Sequence, residues 1–316
     1  MRFASAFVIL AILAVAGAPG DALAGASGRV LVFSKTAGFR HDSIADGVTM
    51  LHELAADAAL EVEATEDAAA FTADSLSGYD VVVWLSTTGD VLDAAQQDAF
   101  QAYIEGGGGW VGIHSAADTE YDWPWFGQLL GGDAWFRSHP AIQEAELVVE
   151  DGDHPSTAHL PSRFAFTDEW YNFRVNPRPS VTVLLTIDET TYDPGADAMT
   201  DHPIAWSHRV GLGRAWYTAL GHRSETYADP AFRAHVLGGV LWAGSRAPRP
   251  TPTAPSSCSG DCDGDGIVAI DELVRGVAVA LGVQALATCS AADGDGDGMV
   301  SIADLVRGVA AALGGC

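Results

Sequence analysis

Between residues 29 and 113, short apolar runs alternate with stretches of helical periodicity, and no other feature constrains the fold as strongly. Val30–Phe33, Tyr79–Leu85 and Trp110–His114 are rich in β-branched and aromatic residues and lack polar alternation. That is the pattern of strands covered on both faces. Between them, Ile44–Leu60 and Ala94–Glu105 read as helices, the second ended by Gly106–Gly109. Such alternation favours a mainly parallel sheet in an α/β domain. Later strand runs are Glu146–Val149, Val181–Ile187, Ile204–Ser207 and Ala215–Thr218, and a last helix covers about Pro230–Trp242. Open parallel sheets bind ligands beyond the carboxyl ends of their strands. Three polar clusters follow strands in this way: Lys35–Asp42, Ser86–Asp90 and His114–Asp122.

Residues 246–257 (RAPRPTPTAPSS) hold four prolines and nothing apolar to pack, which reads as an extended linker. The tail beyond it, 258–316, repeats itself with a period of 32 residues, from Asp261 to Asp293. Each copy has acids at loop positions 1, 3 and 5, glycine at 6 and an acid at 12, which is the pattern of an EF-hand calcium loop. The expected ligands are Asp261, Asp263, Asp265, the Ile267 carbonyl and Glu272 in the first loop. In the second they are Asp293, Asp295, Asp297, the Met299 carbonyl and Asp304. Calcium needs six to eight oxygens, and alternate side chains of one tight loop converge to supply them. Each loop leads into a Leu-Val-x-x-Val stripe, which predicts that the two helices pack stripe on stripe. All four cysteines, 258, 262, 289 and 316, lie in this tail and suggest two disulfides of undetermined pairing.

Charge narrows the partners. Sixteen basic residues against 42 acidic ones give a formal charge of −26, which disfavours nucleic acid and anionic membrane surfaces. Arg2, the apolar run Phe7–Ala16 and Ala22-Leu23-Ala24 read as a cleavable signal peptide over 1–24. The protein is therefore expected to be secreted, with no membrane span after signal removal.

The large domain resembles the ThuA-like (trehalose-utilisation) family over about residues 29–245. The resemblance rests on Phe33–Ser43, Leu85–Asp90, Gly107–Ser115, Asp118–Trp125, Ser138–Pro140, Asp168–Phe173, Asp201–Trp206 and Gly221-His222. It implies a class I glutamine-amidotransferase-like fold, a three-layer α/β sandwich, and a link to trehalose and keto-disaccharide metabolism. In such amidotransferases a Gly-rich turn presents a cysteine nucleophile. Here His114 stands at that place and residues 29–245 contain no cysteine, so thiol acyl transfer is excluded. The tail resembles a type I dockerin, a small all-α calcium domain, which implies a cohesin-like or cell-surface partner. Loop positions 10 and 11, Ile270-Asp271 and Ile302-Ala303, depart from the usual polar pair.

All ten histidines lie in the large domain, several beside acids. His114 with Glu169, or with Asp168, reads as an acid/base pair acting on a sugar. His41, Asp42, Asp118, Tyr121, Trp123, Tyr171, His202, Trp206 and His222 are candidate carbohydrate-binding groups, the rings stacking on sugar faces. A second reading has several of the histidines and acids bind a divalent metal that polarises a keto group, but no HxxxH or HExxH spacing supports it, which leaves that cofactor open. His52, His208 and His235 fall in helix or strand patterns and read as structural. The competing reading is a non-catalytic sugar-binding or scaffolding module with a calcium-dependent attachment tail.

Overall fold

The structure, a computed structural model, describes residues 28–245, 259–263, 267–294 and 298–314. The N-terminal apolar run, the linker, Cys258, Cys316, Asp265, Asp295 and Asp297 lie outside the described residues.

The first half alternates as its sequence requires: β1 (Arg29–Phe33), α1 (Ile44–Ala58), β2 (Glu61–Thr65), α2 (Ala73–Leu76), β3 (Val81–Leu85), α3 (Ala94–Glu105) and β4 (Gly109–Ile113). The chain continues through α4 (Pro124–Leu129), β5 (Phe136–Ser138), β6 (Gln143–Val149), β7 (Arg163–Asp168) and β8 (Asn172–Phe173). It closes with β9 (Thr182–Ile187), β10 (Pro203–Val210), β11 (Gly213–Thr218) and α5 (Pro230–Gly244). One nine-stranded sheet runs β2-β1-β3-β4-β11-β10-β9-β6-β7. The first five strands in that order are mutually parallel, and β10, β9, β6 and β7 add on antiparallel. The fold is thus mixed α/β with a parallel core, and its antiparallel wing was not expected from the sequence. β5 and β8 form a separate two-stranded ribbon.

Every residue of β3 and β4 is buried, because helices cover both faces of the parallel half. Alternation along β3 sorts its side chains between those faces. Trp84 stacks on Phe100 of α3 and Phe126 of α4. On the opposite side, Leu85 meets α1 at Gly47 and Val81 meets α5 at Gly244. Gly239 of α5 lies against Trp216 so closely that an added Cβ would stand 2.5 Å from the indole. Helix α3 starts with a capping box, Asp93 accepting from the Gln96 amide and Gln96 from the Asp93 amide.

In the tail, α6 (Ile270–Ala280) and α7 (Ile302–Gly314) pack together, but not stripe on stripe. Val274, Val277, Val306 and Val309 are exposed. The contact uses leucines over glycines: a Cβ on Gly276 would meet Leu305 at 3.3 Å, and one on Gly308 would meet Leu273 at 3.3 Å. Absent Cβ atoms let each helix seat the other's leucine, which turns the valine faces outward. Cys262 and Cys289 form a disulfide. No helix among the described residues is long and apolar enough to cross a membrane.

Candidate functional site

The site lies at the carboxyl ends of the parallel strands. His41 sits in the loop after β1, His114 follows β4, Glu169 follows β7 and His222 follows β11. One potential ligand atom from each lies within 4.8 Å of all the others.

His114 holds the centre. Its backbone is left-handed at φ 53°, a strained turn for a residue with a side chain, and the ring is fully buried. Its Nδ1 donates to the Ala219 carbonyl at 2.8 Å, which leaves Nε2 with a lone pair facing the cluster. The Tyr217 hydroxyl donates to the His114 carbonyl at 2.8 Å and fixes the turn from below. Around Nε2 stand His41 Nε2 at 3.2 Å, His222 Nδ1 at 3.3 Å and Glu169 Oε2 at 3.5 Å. The Tyr171 ring covers the imidazole with centroids 4.4 Å apart. Ser115 Oγ lies 3.3 Å from His41 Nδ1.

Glu169 links three imidazoles. Its Oε2 lies 3.0 Å from His222 Nδ1, and its Oε1 lies 3.0 Å from His139 Nδ1. Burial pushes this carboxyl up, but its contacts with the His114 and His222 imidazoles outweigh it and hold the group far below the usual carboxylate range. The same contact with Glu169 raises His222. Burial, then repulsion from His114 and His222, lowers His41 to about 3. Solvent reaches the cluster at His139 and His222. The His139 and His222 side chains are 43% and 23% exposed, against 8% for Glu169 and none for His114.

Asp168 is close by but turned away. Its carboxylate accepts from the backbone amides of Gly221 at 2.8 Å, Glu169 at 2.9 Å and His222 at 3.2 Å, and Thr226 Oγ1 lies at 3.4 Å. Those contacts occupy its oxygens, so Asp168 is a positioning residue that pins the His222 loop to Glu169. Ser43 adds a second tie, its hydroxyl donating to the Gly221 carbonyl at 3.3 Å.

The structure brings His41, His114, Glu169, Tyr171 and His222 together, and it places the other sequence candidates elsewhere. Asp42 is exposed beside the cluster without joining it. Asp118 accepts from the Tyr121 hydroxyl at 2.5 Å, and Arg174 lies over the Tyr121 ring at 4.1 Å, in a neighbouring polar group. Trp123 stacks in the core against Phe126, and Trp206 is fully buried with its indole N–H on the Leu130 carbonyl. His202 is buried between the Tyr171 carbonyl and Glu189. Neither tryptophan offers a free sugar-stacking face. His139 is the functional residue that sequence reasoning passed over, although the Ser138-His139-Pro140 motif contains it. Its place over Glu169 depends on the β5–β8 ribbon, which no local periodicity announces.

In the tail, Asp261, Asp263 and Glu272 form a second group able to hold a cation. Glu272 accepts from the amides of Cys262 at 2.6 Å and Asp263 at 3.1 Å, and so closes the loop from the first turn of α6. Asp304, in the first turn of α7, accepts from the Ser301 amide at 2.8 Å and from the Arg307 guanidinium at 2.7 Å.

The trehalose-utilisation (ThuA) family matches residues 29–243. A ThuA-like protein from Bacteroides uniformis is 28% identical, with a TM-score of 0.61 over 72% of this chain and 95% of its own. A ThuA-like protein from Parabacteroides merdae shares the fold at 21% identity and a TM-score of 0.56, covering 69% of this chain and 90% of its own. No curated protein matches the chain. With more than half its length matched, the chain belongs to the trehalose-utilisation (ThuA) family.

Proposed function

We propose that this is a secreted enzyme of carbohydrate metabolism, acting on a sugar or keto-disaccharide by proton transfer at the histidine–carboxylate centre. The observation that carries the reading is Glu169 between His114 and His222 on one oxygen and His139 on the other, beside the two solvent-exposed imidazoles, His139 and His222. A carboxylate held by several imidazoles has short paths for taking up and returning a proton, which sugar isomerisation, elimination and hydrolysis all require. Membership of a trehalose-utilisation family supports a disaccharide as the substrate class. The parallel core and the strained His114 turn fit a three-layer glutamine-amidotransferase-like architecture in which a histidine has replaced the nucleophile.

A calcium-loaded, dockerin-like tail is the second part of the proposal. The Asp261–Asp263–Glu272 group supports it, as does the repeat of the loop sequence. Ile270, Val274, Val277 and Leu281 line one exposed face of α6, and Ile302, Val306, Val309 and Leu313 line the matching face of α7. Two equivalent apolar faces suit attachment to a cohesin-like or cell-surface partner.

The test is incubation of the full chain with plain and 3-keto disaccharides, with products followed by NMR and His114→Ala run in parallel. Products that disappear in the variant support the enzyme. Sugar-induced shifts with no turnover of any substrate would make the domain a carbohydrate-binding module instead.

A further inference from the structure

We propose that His41, His114, His222 and Glu169 hold one divalent transition-metal ion of the zinc and cobalt class. Distances carry the argument. His41 Nε2 to His114 Nε2 is 3.2 Å, His114 Nε2 to His222 Nδ1 is 3.3 Å, His222 Nδ1 to Glu169 Oε2 is 3.0 Å and His114 Nε2 to Glu169 Oε2 is 3.5 Å. Four ligand atoms bound tetrahedrally at about 2.0–2.1 Å from one ion stand about 3.3–3.4 Å from each other. Four of the six edges bracket that value, and the two from His41 to His222 and Glu169 stay within 4.8 Å, so a small inward turn of His41 completes the set.

Hydrogen bonding within the cluster explains less of this convergence. The lone pair on His114 Nε2 accepts a single N–H, yet three polar atoms crowd within 3.5 Å of it. A cation at their common centre satisfies all four atoms together. The surroundings are those of a built ligand set. His114 donates its other nitrogen to a backbone carbonyl, as metal-bound imidazoles do to fix tautomer and ring orientation. His139 occupies Glu169 Oε1, which leaves Oε2 as a single inward-facing donor. Asp168 fixes the backbone of both Glu169 and His222 through the amides it accepts.

Ligand chemistry selects the ion. Three imidazole nitrogens and one carboxylate oxygen favour borderline ions over calcium or magnesium, whereas the tail loops offer oxygen alone. The chain would thus sort two kinds of metal into two places. Where the proposed function holds, a sugar carbonyl or hydroxyl oxygen reaches the ion from the side on which His139 and His222 are exposed.

Cobalt titration of the chelator-treated full chain, with calcium saturating throughout, tests the site by optical absorption and by elemental analysis. The expected result is one cobalt per chain with a visible ligand-field band, displaced by zinc. His222→Gln and Glu169→Gln are each expected to weaken the band's titration by more than about 100-fold. Tryptophan emission, which arises wholly within residues 29–245, should stay native in at least one of the two. Glu272→Gln in the tail should leave the band unchanged. No band, or a band that survives both cluster variants, overturns the metal site. The outcome is separable from the proposed function: a metal-loaded chain inert toward every sugar removes the enzyme and keeps the site, while turnover by a chain that shows no band does the reverse.

Discussion

Asp168→Ala is expected to destabilise the large domain by about 3–5 kcal/mol and to loosen the histidine cluster without removing any member of it. The carboxylate serves three backbone amides, those of Gly221, Glu169 and His222, and it is fully buried. Each buried donor left without a partner costs about 1–3 kcal/mol, which sets the range at about 3–9 kcal/mol. Water entering the space vacated by the side chain re-solvates part of that loss, so the lower third, about 3–5 kcal/mol, applies. The assay is urea unfolding followed by tryptophan emission. All nine tryptophans lie in residues 29–245, so the signal reports this domain and not the tail. Thr226→Ala is the control, since Thr226 Oγ1 reaches Asp168 only at 3.4 Å and its loss leaves the three amides served. A loss below about 1 kcal/mol in Asp168→Ala would refute the reasoning, because it would mean that the His222 loop holds its conformation without the carboxylate.

Further perturbations separate the parts of the molecule. Chelation of calcium should reduce the far-ultraviolet helical signal and leave tryptophan emission unchanged; an unchanged helical signal would contradict the calcium loops. Reduction of Cys262–Cys289, which are 27 residues apart, removes about 2–4 kcal/mol of constraint and should raise the calcium concentration needed to refold the tail. Gly239→Val should cost about 1–3 kcal/mol by urea denaturation, since the new side chain meets the Trp216 indole. Arg178 lowers Glu150 and Asp201 from their ordinary values of 4.5 and 3.8 through hydrogen bonds. Groups with lowered folded values stabilise the protein above their unfolded values, and that contribution fades as pH falls through the folded ones. Arg178→Gln should therefore flatten the fall in stability below about pH 4.5, and an acid limb identical to the parent's would show that the pairs contribute nothing.

The parallel half of the sheet was readable because its strands are covered on both faces. Runs such as Val81–Leu85 and Gly109–Ile113 have no polar positions to confuse the pattern, and glycines mark their edges. Strand β2 escaped notice because Glu61–Thr65 lies at a sheet edge and is mostly exposed, so its sequence shows little apolar signal. The β5–β8 ribbon exists through pairing rather than through any local preference. At the site, a Gly-rich approach made His114 conspicuous, and close packing explains those glycines: a Cβ on Gly109 would meet the Ala243 backbone at 2.6 Å and one on Gly112 the Trp110 ring at 2.5 Å. The full cluster stayed hidden because no two of its members share an element. His41 and His114 are 73 residues apart, and His114 and His222 are 108 apart. Metal-ligand motifs are visible in a sequence only when one helix or turn supplies two ligands, and here topology does the gathering. The aromatic candidates misled for the opposite reason: Trp123 and Trp206 sit in polar motifs, yet their rings fill the core.

The place of β11 has a consequence for how this molecule can be made. It is the last strand of the large domain to leave the ribosome, yet it lies in the middle of the sheet, between β4 and β10. A chain synthesised only as far as Val210 therefore carries two half-sheets, each with an open edge that awaits the same missing strand. Neither half can complete the histidine cluster, and both offer backbone groups to any passing strand, including those of sister chains. Folding must in effect wait for the C-terminal sixth of the domain. A chain threaded across a membrane before it folds would meet that requirement without exposing the two edges for long, since its whole length arrives before the sheet is under way.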